Sequence, residues 1–395
     1  MTFRLRALAC AAIALVAPAS ASADSASFAD MADELQRIQL RIAAGDKAAY
    51  AAQLKQLKTM GAAVATARPE TWKDKRQADS LVIYILSGGS LADLAPLLKG
   101  DAVLESERAL ARGALAYVTN HEAEALSLLG KEDLNALDAR LSGEVAFARS
   151  VLETNRDAKA AVELLDRARL LAPGGLVEEA ALRREIALLA EAKDVARTAM
   201  LTRQYAARFA ASLYAPDFFR DLAATIVRFG LADNPADYQL MSRAVGPLPS
   251  DRRRDFLLTL AKSAVVNARF AAGAAAATEA LEGAGADSPE AMRARLYLAA
   301  SRMFSDAYEA AAADLRTIAV AKLDRADANL LAAVRRVASQ LRIAPETGVV
   351  SSSGASLDDG DKDKEKATTG PALTIAQAQA ALERTAGLMR GQGAP

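Results

Sequence analysis

The sequence predicts an all-α protein: a tetratricopeptide-like superhelix of helix hairpins (an α-solenoid), followed by a disordered C-terminal linker and a short terminal helix. Three observations lead there. Apolar residues make up 52% of the 395-residue chain but aromatic ones only 5%, so leucine and alanine, both strong helix formers, carry the hydrophobic content. Helix, polar turn and second Ala-rich helix recur as a block, with the turn asparagines Asn120 and Asn155 separated by 35 residues. Apolar positions elsewhere fall three or four apart rather than two apart, which suits helix and not strand.

Residues 1–23 read as a secretory signal. Arg4 and Arg6 precede the apolar run Ala7 to Ala17, and Pro18 leads into the small-residue stretch Ala19-Ser-Ala-Ser-Ala23. Cleavage is expected after Ala23, with Ala21 as the alternative. The run is shorter than the roughly 20 residues that span a bilayer, which argues against a retained anchor. Cys10 follows Ala7-Leu-Ala9 but precedes most of the apolar run, the wrong side for a lipidated cysteine. Loss of the signal removes that single cysteine, so stability in an oxidising compartment must come from packing. Lys plus Arg and Asp plus Glu are balanced at 49 each, which offers no basic field for nucleic acid or an anionic membrane.

Residues 24–100 form an N-terminal helical region. Leu35, Ile38 and Ile42 mark one face of a first helix, and Tyr50, Leu54 and Leu57 mark a second, spaced for helix rather than strand. Leu81-Val-Ile-Tyr-Ile-Leu86 is rich in β-branched residues, yet its helical surroundings make it a buried helix. Ser90-Leu-Ala-Asp93 reads as a capping box opening a helix with Leu91, Leu94, Leu97 and Leu98.

Residues 101–345 carry the repeat array. Gly113 to Asn120 leads into His121 to Leu129, and Gly143 to Asn155 leads into Arg156 to Leu165. Further units follow: Leu182 to Leu189 closing near Lys193-Asp194, Phe256 to Asn267 with Phe270 to Leu281, and Leu296 to Ala300 with Tyr308 to Leu315. A hairpin of this length cannot bury its own apolar face, so neighbours must stack. The competing arrangement is a non-repeating helical bundle. Tyr214 to Pro249, with prolines at 216, 235, 247 and 249, interrupts the pattern and is expected to separate two sub-arrays.

Residues 346–371 hold five acids and three lysines between positions 351 and 371, with little to bury, and read as a disordered linker. In residues 372–395, Thr374-Ile-Ala-Gln377 offers a capping box, and Ile375, Ala378, Leu382, Ala386 and Met389 line one face of a short amphipathic helix. That helix either folds back on the array or docks on a partner.

The residue inventory argues against catalysis, a cofactor or a metal. His121 is the one histidine, placed in a turn without an orienting partner. Ser87-Gly-Gly-Ser90 is a turn rather than a nucleophile elbow. Glu178-Glu179 and Asp358-Asp359 are adjacent, so on a helix their side chains diverge by about 100° and cannot flank one scissile bond. Arg252-Arg-Arg254, between Asp251 and Asp255, reads as a solvated helix start. Trp72 is either a core plug or a partner anchor, with core the favoured reading.

The stretch "LLAPGGLVEEAALRRE", residues 170–185, poses the sharpest choice between ligand loop and joint. A phosphate cradle needs free N–H groups and a basic residue at the helix start. Here Glu178 and Glu179 occupy that terminus and repel an anion, while Glu179 and Arg183 are spaced for an i,i+4 pair. Pro173 ends one helix and the glycines permit a sharp reversal, so this is a joint.

Residues 171–185 and Arg76-Gln-Ala-Asp-Ser-Leu-Val-Ile-Tyr-Ile-Leu-Ser-Gly-Gly89, with Gly113-Ala-Leu-Ala-Tyr117 and the secretory start, resemble the MotC family of alphaproteobacterial motility proteins. The similarity covers about residues 30 to 345, on structural turns and helix faces that transfer no active site. It implies a periplasmic protein required for flagellar rotation that contacts the periplasmic part of the stator protein MotB. The alternatives are another periplasmic adaptor in envelope assembly and a cell-wall glycosidase. The second lacks both a separate folded domain and a convincing carboxylate pair.

Overall fold

The computed structural model describes residues 26–343 apart from Asp93. The signal segment, the linker and the terminal helix expected at 372–395 lie outside the described residues.

The described chain is helical throughout, without a strand among the described residues, as composition and periodicity predict. It opens with the hairpin α1 (Phe28–Ala43) and α2 (Lys47–Thr66), then α3 (Lys75–Leu86) and the short α4 (Leu94–Lys99). Six consecutive helix pairs follow: α5 (Glu105–Val118) and α6 (Glu122–Leu129), α7 (Ala139–Glu153) and α8 (Ala158–Leu171), α9 (Leu176–Glu191) and α10 (Val195–Arg208), α11 (Ala215–Phe229) and α12 (Pro235–Ala244), α13 (Ser250–Val266) and α14 (Phe270–Leu281), and α15 (Pro289–Arg302) and α16 (Tyr308–Thr317); all but α11 and α12 pack on each other as hairpins. A final helix, α17 (Arg325–Ile343), closes the series.

The odd-numbered helices stack in order: α5 on α7, α7 on α9, and so on to α15 on α17. That is the packing a hairpin array needs, because each unit buries its apolar face only against the next. The turns repeat as well. Asn120, Lys193, Gly230 and Ala268 all adopt positive φ, at 64°, 58°, 72° and 57°. In each case the next residue's N–H reaches back across the helix end: His121 to Ala116, Asp194 to Leu189, Leu231 to Ile226 and Arg269 to Ala264, at 2.8 to 2.9 Å. This left-handed C-terminal motif satisfies carbonyls that the helix leaves unpaired.

Tyr214 to Pro249 does not divide the array. Pro216 and Pro235 fall in the first turns of α11 and α12, where a missing N–H costs nothing, and Pro249 is the N-cap position of α13. One apolar cluster runs from Leu182 through Phe218, Phe219 and Phe256 to Leu331. The irregularity is local: α12 packs on α10.

The 81–86 stretch is a buried helix, with Leu81 through Ile85 fully inaccessible. The helix marked by Tyr50, Leu54 and Leu57 is present as α2, while the helix start expected at Ser90 needs correction. On α2 the buried residues are Ala49, Met60 and Val64, whereas Tyr50 and Leu54 are exposed. Alanines on several faces of α2 remove the contrast by which periodicity selects a buried side. Ser90 does not open a helix: its N–H donates to the Tyr84 hydroxyl at 2.7 Å, and α4 starts only at Leu94.

Candidate functional site

The joint at residues 170–185 reverses the chain between α8 and α9. Gly174 takes φ +86°, and the Glu178 carboxylate reaches back to accept from the Gly174 N–H at 2.5 Å. Glu178 is also held by Arg208 at 2.7 Å and by the Gln204 amide at 3.1 Å. Glu179 turns inward and accepts from the Tyr205 hydroxyl at 2.8 Å. Both acids are thus buried against α10 rather than merely facing the helix field. The Glu179 to Arg183 ion pair does not form: Arg183 instead lies over the Tyr214 ring, 5.0 Å from its centroid.

Further along the same helix, Glu185 is wholly buried and bound by Arg169 at 2.8 Å and Arg197 at 3.2 Å. Asp166 pairs with both arginines, and Arg169 also donates to Gln204. Burial pushes the Glu185 carboxyl up to about 7 against the opposing pull of Arg169. Both arginines are held by acceptors of this chain, and the network ties α8, α9 and α10 together.

Against this joint lies α1. Gln36 donates to the Arg140 carbonyl at 3.2 Å, Asp33 pairs with Arg140, and Ile38, Ile42 and Ala49 form a small apolar cluster with Leu176, Leu213 and Tyr214. Leu40 sits over the glycines, whose missing side chains leave room for it: a Cβ on Gly174 would stand 3.3 Å from Leu40 Cδ2.

Between α1 and α7 to α9 run two crevices of about 240 and 210 Å³ that share Gln39, Glu144, Leu176 and Val177. Glu144 is their buried acidic group. Among the described residues its one hydrogen bond is the long contact from Gln36 Nε2 at 3.5 Å, and burial pushes its carboxyl up to about 8. Sequence reasoning missed Glu144, because its burial is created by a helix more than 100 residues earlier.

The other residues singled out from sequence are dispersed. His121 precedes α6 and its Nδ1 lies 2.9 Å from the Thr119 hydroxyl. Trp72 is a core plug, 1% exposed and edge-on to Phe28 at 5.1 Å between centroids. Arg252, Arg253 and Arg254 are not simply solvated: they bind the Ala210 carbonyl, Glu279 and the Gly283 carbonyl, stapling α13 to its neighbours. No group of three potential metal ligands converges among the described residues. None of the described helices is long and apolar enough to cross a membrane. Asp358 and Asp359 lie outside the described residues.

Packed helices, ion networks satisfied within the chain and crevices at a helix crossing define an all-α protein whose packing is compatible with a repeat superhelix. The chain belongs to the MotC family: the model described as "Chemotaxis protein MotC" matches residues 1–394. A curated relative, Chemotaxis protein MotC of Rhizobium meliloti (strain 1021), is 27% identical over 311 residues, covering 78% of this chain and 70% of the relative. No solved structure matches. The protein is therefore associated with motility and chemotaxis.

Proposed function

We propose that this protein is a non-enzymatic periplasmic scaffold required for flagellar rotation, which binds the periplasmic domain of MotB and stabilises it or couples it to the motor. The observation that carries the reading is family membership along nearly the whole length of the chain. The helical architecture supports it, because stacked hairpins offer an extended surface that one partner can follow. A scaffold that binds only the folded partner stabilises that state by mass action, so no chemistry is required. Residues 1–23 would deliver the chain to the periplasm, residues 24–100 and 101–345 would form the helical body, and 346–371 would tether the helix at 372–395.

The test is capture from periplasm by the purified chain lacking residues 1–23. MotB is the expected prey. Recovery of envelope-assembly machinery without MotB would overturn the reading in favour of a different adaptor. Deleting residues 372–395 separates the two roles of the tail: an unchanged melting transition means that it serves a partner, and a large loss means that it docks internally.

A further inference from the structure

We propose that the paired crevices flanking Glu144 form an anchor pocket for one arginine or lysine side chain of a partner protein. The inference rests on the scaffold reading for the nature of the occupant and on the pocket itself for its chemistry.

Glu144 is 7% exposed, and among the described residues it has no ion pair. The nearby cation Arg140 is engaged by Asp33 and Asp138. In the adjoining crevice the Gln53 Oε1 is buried without a hydrogen-bond partner. The pocket therefore offers two acceptors that lack good donors, and such groups are costly to leave unpaired. The walls are apolar: Leu176 and Val177 line both crevices, and Leu40 and Leu171 line the first.

An arginine or lysine matches this combination because it carries a methylene stem and a head that only donates. Arginine's planar fork can serve two separated acceptors at once. A purely apolar side chain would leave both acceptors unpaired. A protein is favoured over a free cation by the surroundings: Leu40, Tyr50 and Leu54, all on the α1–α2 hairpin, are 43%, 46% and 56% exposed. Tyr50, three residues before Gln53, shares its face of α2, so an exposed aromatic ring stands beside the polar floor.

The test uses the chain lacking residues 1–23, with labelled leucine and valine methyls followed by NMR. The probes are Nα-acetyl-arginine methylamide, its neutral citrulline counterpart and the norleucine counterpart. The arginine probe should shift the methyls of Leu40, Leu176 and Val177 and bind roughly tenfold tighter than citrulline. Glu144→Gln should erase that preference while leaving the remaining spectrum in place, and Gln53→Leu should weaken the arginine probe with Glu144 intact. Unmoved methyls at about 100 mM arginine probe, or equal binding of citrulline, would overturn the proposal. In the capture experiment Glu144→Gln should recover roughly tenfold less of the partner that the unaltered chain takes, and equal recovery would also overturn it. The titration uses no stator protein, so it remains decisive if MotB is not captured.

Discussion

The Tyr297 hydroxyl donates to Asp327 Oδ1 across 2.7 Å, joining α15 to the closing helix α17 at a point with no solvent access. Lys262 of α13 and Arg293 of α15 complete the knot at 2.8 and 3.2 Å. One carboxylate thus gathers three successive odd-numbered helices. Asp327→Ala would strand two partly buried cations and should lower the unfolding free energy by about 3 kcal/mol, against about 1 kcal/mol for Tyr297→Phe. The double variant should fall short of the sum, because both changes break one network. Urea denaturation with amide exchange on α17 measures this. A loss below about 1 kcal/mol for Asp327→Ala would mean that the cations are re-solvated without penalty.

Glu144 predicts a pH dependence of opposite sign to that of an ion-paired acid. Its folded-state value is pushed up to about 8, above the ordinary 4.5, so the folded chain holds the proton longer than the unfolded chain does. Stability from this group is therefore fully present below about pH 4.5, is lost as pH rises, and is flat above about pH 8. Arg140, the other charged residue lining its crevices, is already paired with Asp33 of α1 and Asp138 at the start of α7, and the Tyr117 phenol lies across the second crevice. Glu144→Gln should therefore gain on the parent by about 3 to 5 kcal/mol between pH 4.5 and 9. Parallel stability-against-pH curves for the two chains would show that Glu144 ionises freely in the folded protein.

Two glycines with nearly the same backbone should respond differently to alanine. Gly45, in the α1–α2 turn, has φ +94°, and a Cβ there would stand 2.3 Å from the Ala211 carbonyl oxygen. Gly88 has φ +87° and open space around it. Gly88→Ala should cost only the left-handed backbone penalty of about 1 to 2 kcal/mol. Gly45→Ala adds a clash and should exceed that by roughly 1 to 3 kcal/mol, with the α1–α2 hairpin moving off the chain before α11. Equal melting temperatures for the two variants would show that Ala211 yields freely.

What was legible in the sequence follows from how local each cause is. Lys193-Asp194 and Asn120 mark turns because a left-handed residue and a polar cap leave a signal within a few positions. The hairpin boundaries, the buried 81–86 helix and the core placement of Trp72 were accessible on the same grounds. The buried face of α2 was not, since Ala48, Ala49, Ala51 and Ala52 present apolar surface in every direction. Glu144 was hidden for a different reason: nothing in Gly143-Glu-Val-Ala-Phe147 distinguishes a buried acid from a solvated one until α1 crosses it. The Arg183 stacking on Tyr214 likewise depends on a residue in the α10–α11 connection, beyond the reach of an i,i+4 rule.

The repeated turns carry a final prediction. Lys193 and Ala268 hold left-handed φ values of 58° and 57° with side chains that disfavour them, whereas Gly230 meets the same demand in its turn without that penalty. Lys193→Gly and Ala268→Gly should each raise stability by about 1 kcal/mol, the relief of backbone strain outweighing the extra freedom of the unfolded chain. Asn120→Gly should gain less, because asparagine tolerates this region. Asn155, which looks equivalent to Asn120 in sequence, is not among the positive-φ residues, so Asn155→Gly should destabilise by about 0.5 to 1 kcal/mol. Thermal melts of the four single variants check the ordering. A gain at Asn155 equal to that at Lys193 would mean that unfolded-state entropy, not turn geometry, sets these values.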